Sequence, residues 1–288
     1  NLMAANSSRY LNTHYKALSD STRKLSSGLR VETAADDAAG LAIRELMRAD
    51  IAALNQGVRN ANDGISLIQT ADGALGVIDE KLVRMKELAE QAATGTYDST
   101  QRLIIDSEYQ QMASEITRIA NATDFNGIKL LDGNLSSDTH DGTGLVSTGK
   151  LKIHFGTAND SAEDYYYIQI GDSTASALGV GNANGGGAGH DISTQANAQK
   201  ALDAINNAIV SKDNIRAHLG ALQNRLENTI TNLEVQSENL QSAESQISDV
   251  DVATEMTNFV RNQILTQSAV SMLGQANSLP QMALSLIG

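Results

Sequence analysis

The amino-acid sequence predicts a mainly α fold: a long antiparallel helical-hairpin and coiled-coil rod bundle, its N- and C-terminal helices paired, with a small β-hairpin insert. Three observations predict it. First, Met47, Ile51, Leu54, Val58, Ala61, Ile65, Ile68, Ala71, Leu75, Ile78, Leu82, Met85, Ala89 and Ala92 recur in steps that alternate four and three, with one slip between Ile68 and Ala71. A sustained step of about 3.5 residues keeps one stripe facing partner helices, and a three-residue slip overwinds the seam without ending the helix. Such an element is roughly 70 Å long at about 1.5 Å per residue, where a compact domain of this chain length is only about 40 Å across. Second, aromatic residues are 3% of the 288, Trp and Cys are absent and Pro280 is the single proline, the usage of long packed helices. Third, helical periodicity lapses between residues 128 and 192 and then returns.

In chain order, Leu11, Tyr15, Leu18, Thr22 and Leu25 define a terminal helix over residues 2–25, which Gly28 stops. Residues 26–35 form a connector, and Asp36 and Asp37 stand where acids favour a helix N-terminus. The long helix begins there and runs to Gly95, tolerating Gly40, Gly57, Gly64, Gly73 and Gly76. Each costs up to ~1 kcal/mol relative to Ala, so close helix approach is their expected reason. Ser99 can cap the next helix, whose Ile105, Tyr109, Met112, Ile116 and Ile119 run back antiparallel to the first. Asp124, Phe125, Asn126 and Gly127 signal a turn. Leu151, Ile153 and Phe155 alternate with Lys152 and His154, and residues 165–170 are a second β-rich run, so a hairpin is expected. Residues 179–189 hold six glycines and read as a loop. From Ala201 the seam resumes through Ile205, Ala208, Lys212, Ile215, Leu219, Leu222, Leu226, Thr229, Leu233, Gln236 and Leu240. Residues 241–251 read as a polar connector, and Met256 opens a final amphipathic helix that ends near Pro280. The domain plan is therefore 1–35, 36–127, 128–192, 193–241 and 242–288, palindromic about the insert.

Charge and motif content exclude several functions. The net charge is −13, yet residues 1–50 carry seven basic and six acidic side chains and residues 251–288 carry one and two. All excess acid lies between, so nucleic acid is not a partner and the middle is the solvated surface. Without cysteine there is no disulfide, thiolate metal site or thiol nucleophile. His14, His140, His154, His190 and His218 share no metal-ligand spacing and read as solvated or loop residues; H-E-x-x-H is absent. No catalytic, cofactor or metal residue is assigned, and the chain reads as no enzyme. No apolar run reaches the ~20 residues of a membrane span. The N-x-[ST] triplets at Asn6, Asn121, Asn134 and Asn159 are chance matches. Two amphipathic helices of about 25 residues cannot build a core of their own. Neutral ends that need partners, joined to an acidic rod, describe a self-assembling subunit.

At this point the residues resemble the bacterial flagellin family, the subunits of the flagellar filament. The resemblance rests on LSSGLR at 25–30, DDAAGLAI at 36–43, RNANDGIS at 59–66 and FNG at 125–127, then on RAHLGALQNRLE at 216–227, QIL at 263–265, QAN at 275–277 and PQ at 280–281. It implies that the terminal helices form an inner tube around a channel, with the rod bundle packed around them and outer domains reduced to a β-hairpin elaboration in 128–192. It implies numbering that starts a few residues inside the family's opening motif and a C-terminus, Leu286 to Gly288, that varies the family's ending. Subunit contacts are implied at Leu25, Arg30, Asp36, Asp37, Arg59, Asn60, Asn62, Asp63, Leu265 and Leu273. Binding of the host Toll-like receptor 5 is implied at Arg84, Leu88 and Glu108 on one exposed face, although Glu90 stands where the family is commonly apolar. Further implied partners are the chain itself, a flagellin-specific export chaperone covering the C-terminal helix, and the cap and hook-associated proteins. Type III export to an extracellular filament and O-linked sugar on the insert are also implied. The alternatives are the hook–filament junction protein and, from another class, a soluble coiled-coil adaptor.

Overall fold

The structure, a computed structural model, describes residues 2–143, 148–161, 163–181 and 189–287. Five helices carry the chain: α1 (Leu2–Ser27), α2 (Ala38–Ala93), α3 (Ser99–Ala122), α4 (Gln195–Ser248) and α5 (Val252–Ile287). Between α3 and α4 lie three two-stranded antiparallel sheets: β1 (Asp124–Phe125) with β2 (Ile128–Lys129), β3 (His140–Asp141) with β4 (Thr148–Gly149), and β5 (Leu151–His154) with β6 (Tyr165–Ile168). The chain divides into two units, residues 1–52 with 236–288, and residues 53–235; both boundaries fall inside helices, in α2 and in α4.

In the larger unit the seam of α2 is the core. Ala61, Ile68, Ala71, Leu75, Ile78, Leu82, Met85, Ala89 and Ala92 are buried in one cluster with Ile105, Tyr109, Ala113 and Ile116 of α3 and Ala201, Ile205, Ala208, Leu219, Leu222 and Leu226 of α4. Leu67 is buried beside Ile68, so the stripe widens where the four-three alternation slips. Arg84 pairs with Glu108 and Arg102 donates to the Ala92 carbonyl, which runs α3 antiparallel to α2. Asp72 meets Arg216 and Asp79 meets Lys212, which runs α4 antiparallel as well. Asp98 caps α3: its carboxylate accepts the Gln101 N–H at 2.7 Å, and the Gln101 side chain accepts the Asp98 N–H at 3.1 Å. The cap is therefore Asp98 rather than Ser99, because a carboxylate paired with a glutamine three residues on satisfies two orphan N–H groups.

The expected hairpin forms as β5–β6, with Leu151 opposite Ile168 and Ile153 opposite Tyr166. One face holds Ile153, Phe155 and Tyr166 toward the bundle, where Arg225 lies 3.5 Å over the Tyr166 ring. Gly57 and Gly64 explain themselves here. A methyl on Gly57 would fall on the Phe155 backbone, and one on Gly64 would touch Ile153 and Leu226. Gly73 and Gly76 have nothing within 4 Å, so close approach is not their reason. On α3, Tyr109 is buried and donates to the Gly189 carbonyl at 2.7 Å, Gln110 donates to His190, and Asp106 accepts the Ile192 N–H at 2.8 Å. Burial, with Asp106 and Asp191 nearby, pushes the Tyr109 hydroxyl's pKa far up and keeps it a donor.

Several boundaries differ from expectation. Residues 241–248 continue α4, so the polar connector shrinks to three residues between α4 and α5. Helix propensity of the Gln, Ser and Glu there suffices once Leu240 is half-buried. After Leu233 the buried position is Ser237 instead of Gln236, a four-residue step where three was expected. Helix α5 opens at Val252, capped by Asp251, and its backbone continues past Pro280 to Ile287. The expected glycine-rich loop falls largely on residues 182–188, outside those described, as does Gly288.

Candidate functional site

In the smaller unit, α1 packs against α5. Leu29 bridges Asp249, the Arg30 N–H donates to Ser248, and the Val250 N–H donates to Gly28, so the end of α1 meets the start of α5 and the two run antiparallel. Gly28 stops α1 with φ of 75° and an N–H bonded to the Lys24 carbonyl. One covered stripe of α1 runs through Ala4, Ser7, Leu11, His14, Leu18, Ser21 and Leu25, and one of α5 through Glu255, Phe259, Asn262, Thr266, Ala269, Leu273 and Ala276. Both series alternate three and four. Tyr15 and Thr22, expected on this stripe, are exposed, and His14, expected to be solvated, is half-buried within it. The seam mixes the half-buried Leu11, Leu18, Leu25, Phe259 and Leu273 with small and polar side chains, while further large apolar side chains point away. Leu2, Met3, Tyr10 and Tyr15 of α1 are exposed. On α5, Met256, Val260, Ile264 and Leu265 line an open groove with Thr257 and Arg261.

The connectors place the polar residues. Arg30 reaches the Ile247 carbonyl at 2.5 Å, and Arg44, almost fully buried, donates to the Val31 carbonyl at 2.6 Å. The Asp36 carboxylate accepts the N–H and hydroxyl of Thr33, both at 3.0 Å, and faces Arg23 at 3.3 Å. Asp37 caps α2 by accepting from Ala39 and Gly40. Hydrogen bonds from Thr33 hold the Asp36 carboxyl below the usual carboxylate range, and those from the Thr254 hydroxyl and backbone do the same for Asp251. A depressed folded pKa contributes stability that is present above the unfolded value and lost as pH falls through the folded one. The turn at Thr33 and the first turn of α5 will therefore fray as pH drops below about 4. Amide exchange at Thr33, Ala253 and Thr254 followed across that range checks it; unchanged protection would remove the capping role.

Among the expected subunit contacts, Leu25 and Leu273 are half-buried in the α1–α5 seam and Leu265 is exposed. Arg59 is exposed and bonded to Gln56, while Asn62 and Asp63 are exposed. Asn60 instead donates to the His154 carbonyl at 2.8 Å and so holds the hairpin. Of the expected receptor residues, Arg84 and Glu108 form an exposed ion pair with N–O distances of 2.8 and 3.0 Å. Leu88 is not on that face: it is 1% exposed, inside the core. A leucine one residue before the seam position Ala89 widens the buried stripe, and periodicity alone left its side open. Among the described residues no cluster of His, Asp and Glu could hold a metal, and no helix is long and apolar enough to cross a membrane.

Terminal helices that pair through one stripe each and leave other apolar side chains uncovered define a structural subunit built to pack against further helices. The chain matches the bacterial flagellin N-terminal helical region over residues 1–136 and the C-terminal helical region over residues 202–287. It is 43% identical to a flagellin of Halalkalibacterium halodurans, covering 100% of this chain and 98% of that one. It is 41% identical, with the same coverage, to the flagellar filament 33 kDa core protein of Treponema phagedenis. Among solved structures, a flagellar hook-associated protein of Vibrio parahaemolyticus superposes with a TM-score of 0.56 at 14% identity, covering 74% of this chain and 100% of that one, a likeness of fold alone. The chain belongs to the bacterial flagellin family, whose members are structural subunits of the flagellar filament. The hook-junction alternative is not favoured, because these full-length relatives are a flagellin and a filament core protein.

Proposed function

We propose that this flagellin polymerises through the outward faces of α1 and α5, in a filament that drives swimming, and that assembly completes the burial its own fold leaves undone. The observation that carries this reading is the apolar surface the terminal pair leaves uncovered: one stripe of each helix forms the seam, and Met256, Val260 and Ile264 are among the apolar side chains outside it. Complete burial of an apolar side chain of that size stabilises by roughly 1.5–3 kcal/mol, and each of these half-covered ones contributes part of that against the loss of freedom on joining. The remaining partners follow from the family. An export chaperone covers the apolar face of α5 before secretion by the type III route, and cap and hook-associated proteins meet the filament at its ends. Leu25, Arg30, Asp36, Asp37, Arg59, Asn62, Asp63 and Leu265 contribute subunit contacts, and domain boundaries at 35, 127, 192 and 241 separate the inner-tube, bundle and insert segments.

The test is sedimentation of seeded protein with electron microscopy of the pellet, comparing the full chain with one lacking residues 1–30 and 252–288. Long tubes from the full chain alone are expected. Tubes from both chains would overturn the assignment to α1 and α5. The exposed Arg84–Glu108 pair supports a second role, engagement of Toll-like receptor 5. Glu108→Ala should lower receptor activation by about tenfold, the worth of roughly 1.4 kcal/mol, while leaving polymerisation intact. Leu88→Ala acts only through the fold, at about 2–5 kcal/mol. Unchanged activation by Glu108→Ala would end the receptor assignment.

A further inference from the structure

The β1–β2 turn carries chemistry that the filament role does not use. Asn126–Gly127 and Asn184–Gly185 are the two Asn–Gly steps in the sequence, and the second lies outside the described residues. Asn126 is the one non-glycine residue of positive φ among those described, at 51°, and Gly127 follows at 80°. Such a pair makes the two-residue turn that suits an antiparallel hairpin. Both residues are exposed, and nothing lies within 4 Å of where a side chain on Gly127 would stand. Every other described asparagine is followed by a residue with a side chain, which hinders approach to the following peptide nitrogen.

We propose that Asn126 is a site of spontaneous deamidation, restrained by Asp124. The Gly127 peptide nitrogen attacks Cγ of Asn126. The N–Cγ bond forms as the Cγ–Nδ2 bond breaks, and the proton shed by the peptide nitrogen passes through solvent to the departing amide, which leaves as ammonia. Water then opens the five-membered imide at one carbonyl or the other, yielding aspartate or isoaspartate without any change of oxidation state. The nucleophile must first lose its proton, and the Asp124 carboxylate accepts that N–H at 3.2 Å. Donation to an anion opposes the loss.

The hairpin cannot absorb the product. Its ladder is Asp124 opposite Lys129 and Phe125 opposite Ile128, extended by the Leu130 N–H bonded to the Thr123 carbonyl at 3.2 Å. Isoaspartate adds a main-chain carbon inside a turn of two residues, which breaks a register that turn length defines. The new carboxylate also stands two residues from Asp124, and the strand leads directly into Leu130 and Leu131, both fully buried.

The test ages the full chain in mildly alkaline buffer and follows peptides by mass spectrometry, with isoaspartyl methyltransferase labelling. A synthetic peptide of residues 121–131 serves as the unfolded reference. The peptide holding Asn126 is expected to convert faster than any other described asparagine, by at least about tenfold, and Asp124→Asn is expected to raise that rate by about threefold. No conversion in the folded chain while the free peptide converts would overturn the site. An unchanged or slower rate in Asp124→Asn would overturn the restraint.

Discussion

Asp79→Ala will destabilise the larger unit by about 2 kcal/mol, while Lys212→Met will leave it unchanged or more stable. Lys212 occupies a seam position of α4 with only 2% of its side chain exposed. Its ammonium lies 2.5 Å from Asp79 of α2 and 2.7 Å from its neighbour Asp213. Removing one partner of a buried pair strands a charge in a poorly polarisable place, which is why truncation costs more than the pair itself is worth. Asp213 is 59% exposed and keeps part of the charge satisfied, so the cost falls below the about 3–5 kcal/mol of a sealed pair. Methionine keeps the straight buried stem and removes the charge, trading an ion pair for packing in a cluster already lined by Ile78 and Leu82. Amide exchange in α2 and α4 is the measurement, because the two units need not unfold together. Equal losses in both variants would show that the ion pair, and not the packed stem, holds the helices.

Gly57→Ala will cost about 3 kcal/mol and lift β5–β6 from α2, at the upper end for overpacking. The added methyl meets the Phe155 backbone, and helix backbone stands behind it, so no side chain can swing aside to make room. The Asn60 bond to His154 and the ring pair of Phe155 with Tyr166, 4.6 Å between centroids, lie on the same contact and will go with it. Gly73→Ala and Gly76→Ala are the controls. With nothing within 4 Å, each should stabilise α2 by up to ~1 kcal/mol by removing backbone freedom from the unfolded chain. The urea midpoint of each variant decides the matter. A mild effect at Gly57 would mean that the hairpin does not rest on α2 there, and a loss at Gly73 and Gly76 would mean that the cost at Gly57 is not specific to that contact.

The helices were legible because their signal is local. A four-three recurrence from Met47 to Ala92 specifies a stripe whatever packs on it, and the same alternation marked Ile205, Leu219 and Leu226. The hairpin was legible from the alternation of Leu151 to Phe155 for the same reason. Boundaries were less so: Asp98 and Ser99 are both good capping residues, and only Gln101, in place to bond back, decides between them. Residues 241–248 look like a connector because nothing in their polarity says that α4 continues.

The sequence by itself determined the class, the order of elements and, through motifs such as RNANDGIS and LGALQNRLE, the family. Periodicity and composition act residue by residue along the chain, and they survive without knowledge of any partner. Only the tertiary structure decided which side of each stripe is covered. It buried Leu88, gave Lys212 its carboxylates, turned Asn60 and Gly57 toward the hairpin, and placed Leu18 and Phe259 on the α1–α5 seam with Val260 and Ile264 outside. A side chain's burial depends on what another element brings to it, and that element lies well beyond the reach of local periodicity in the chain.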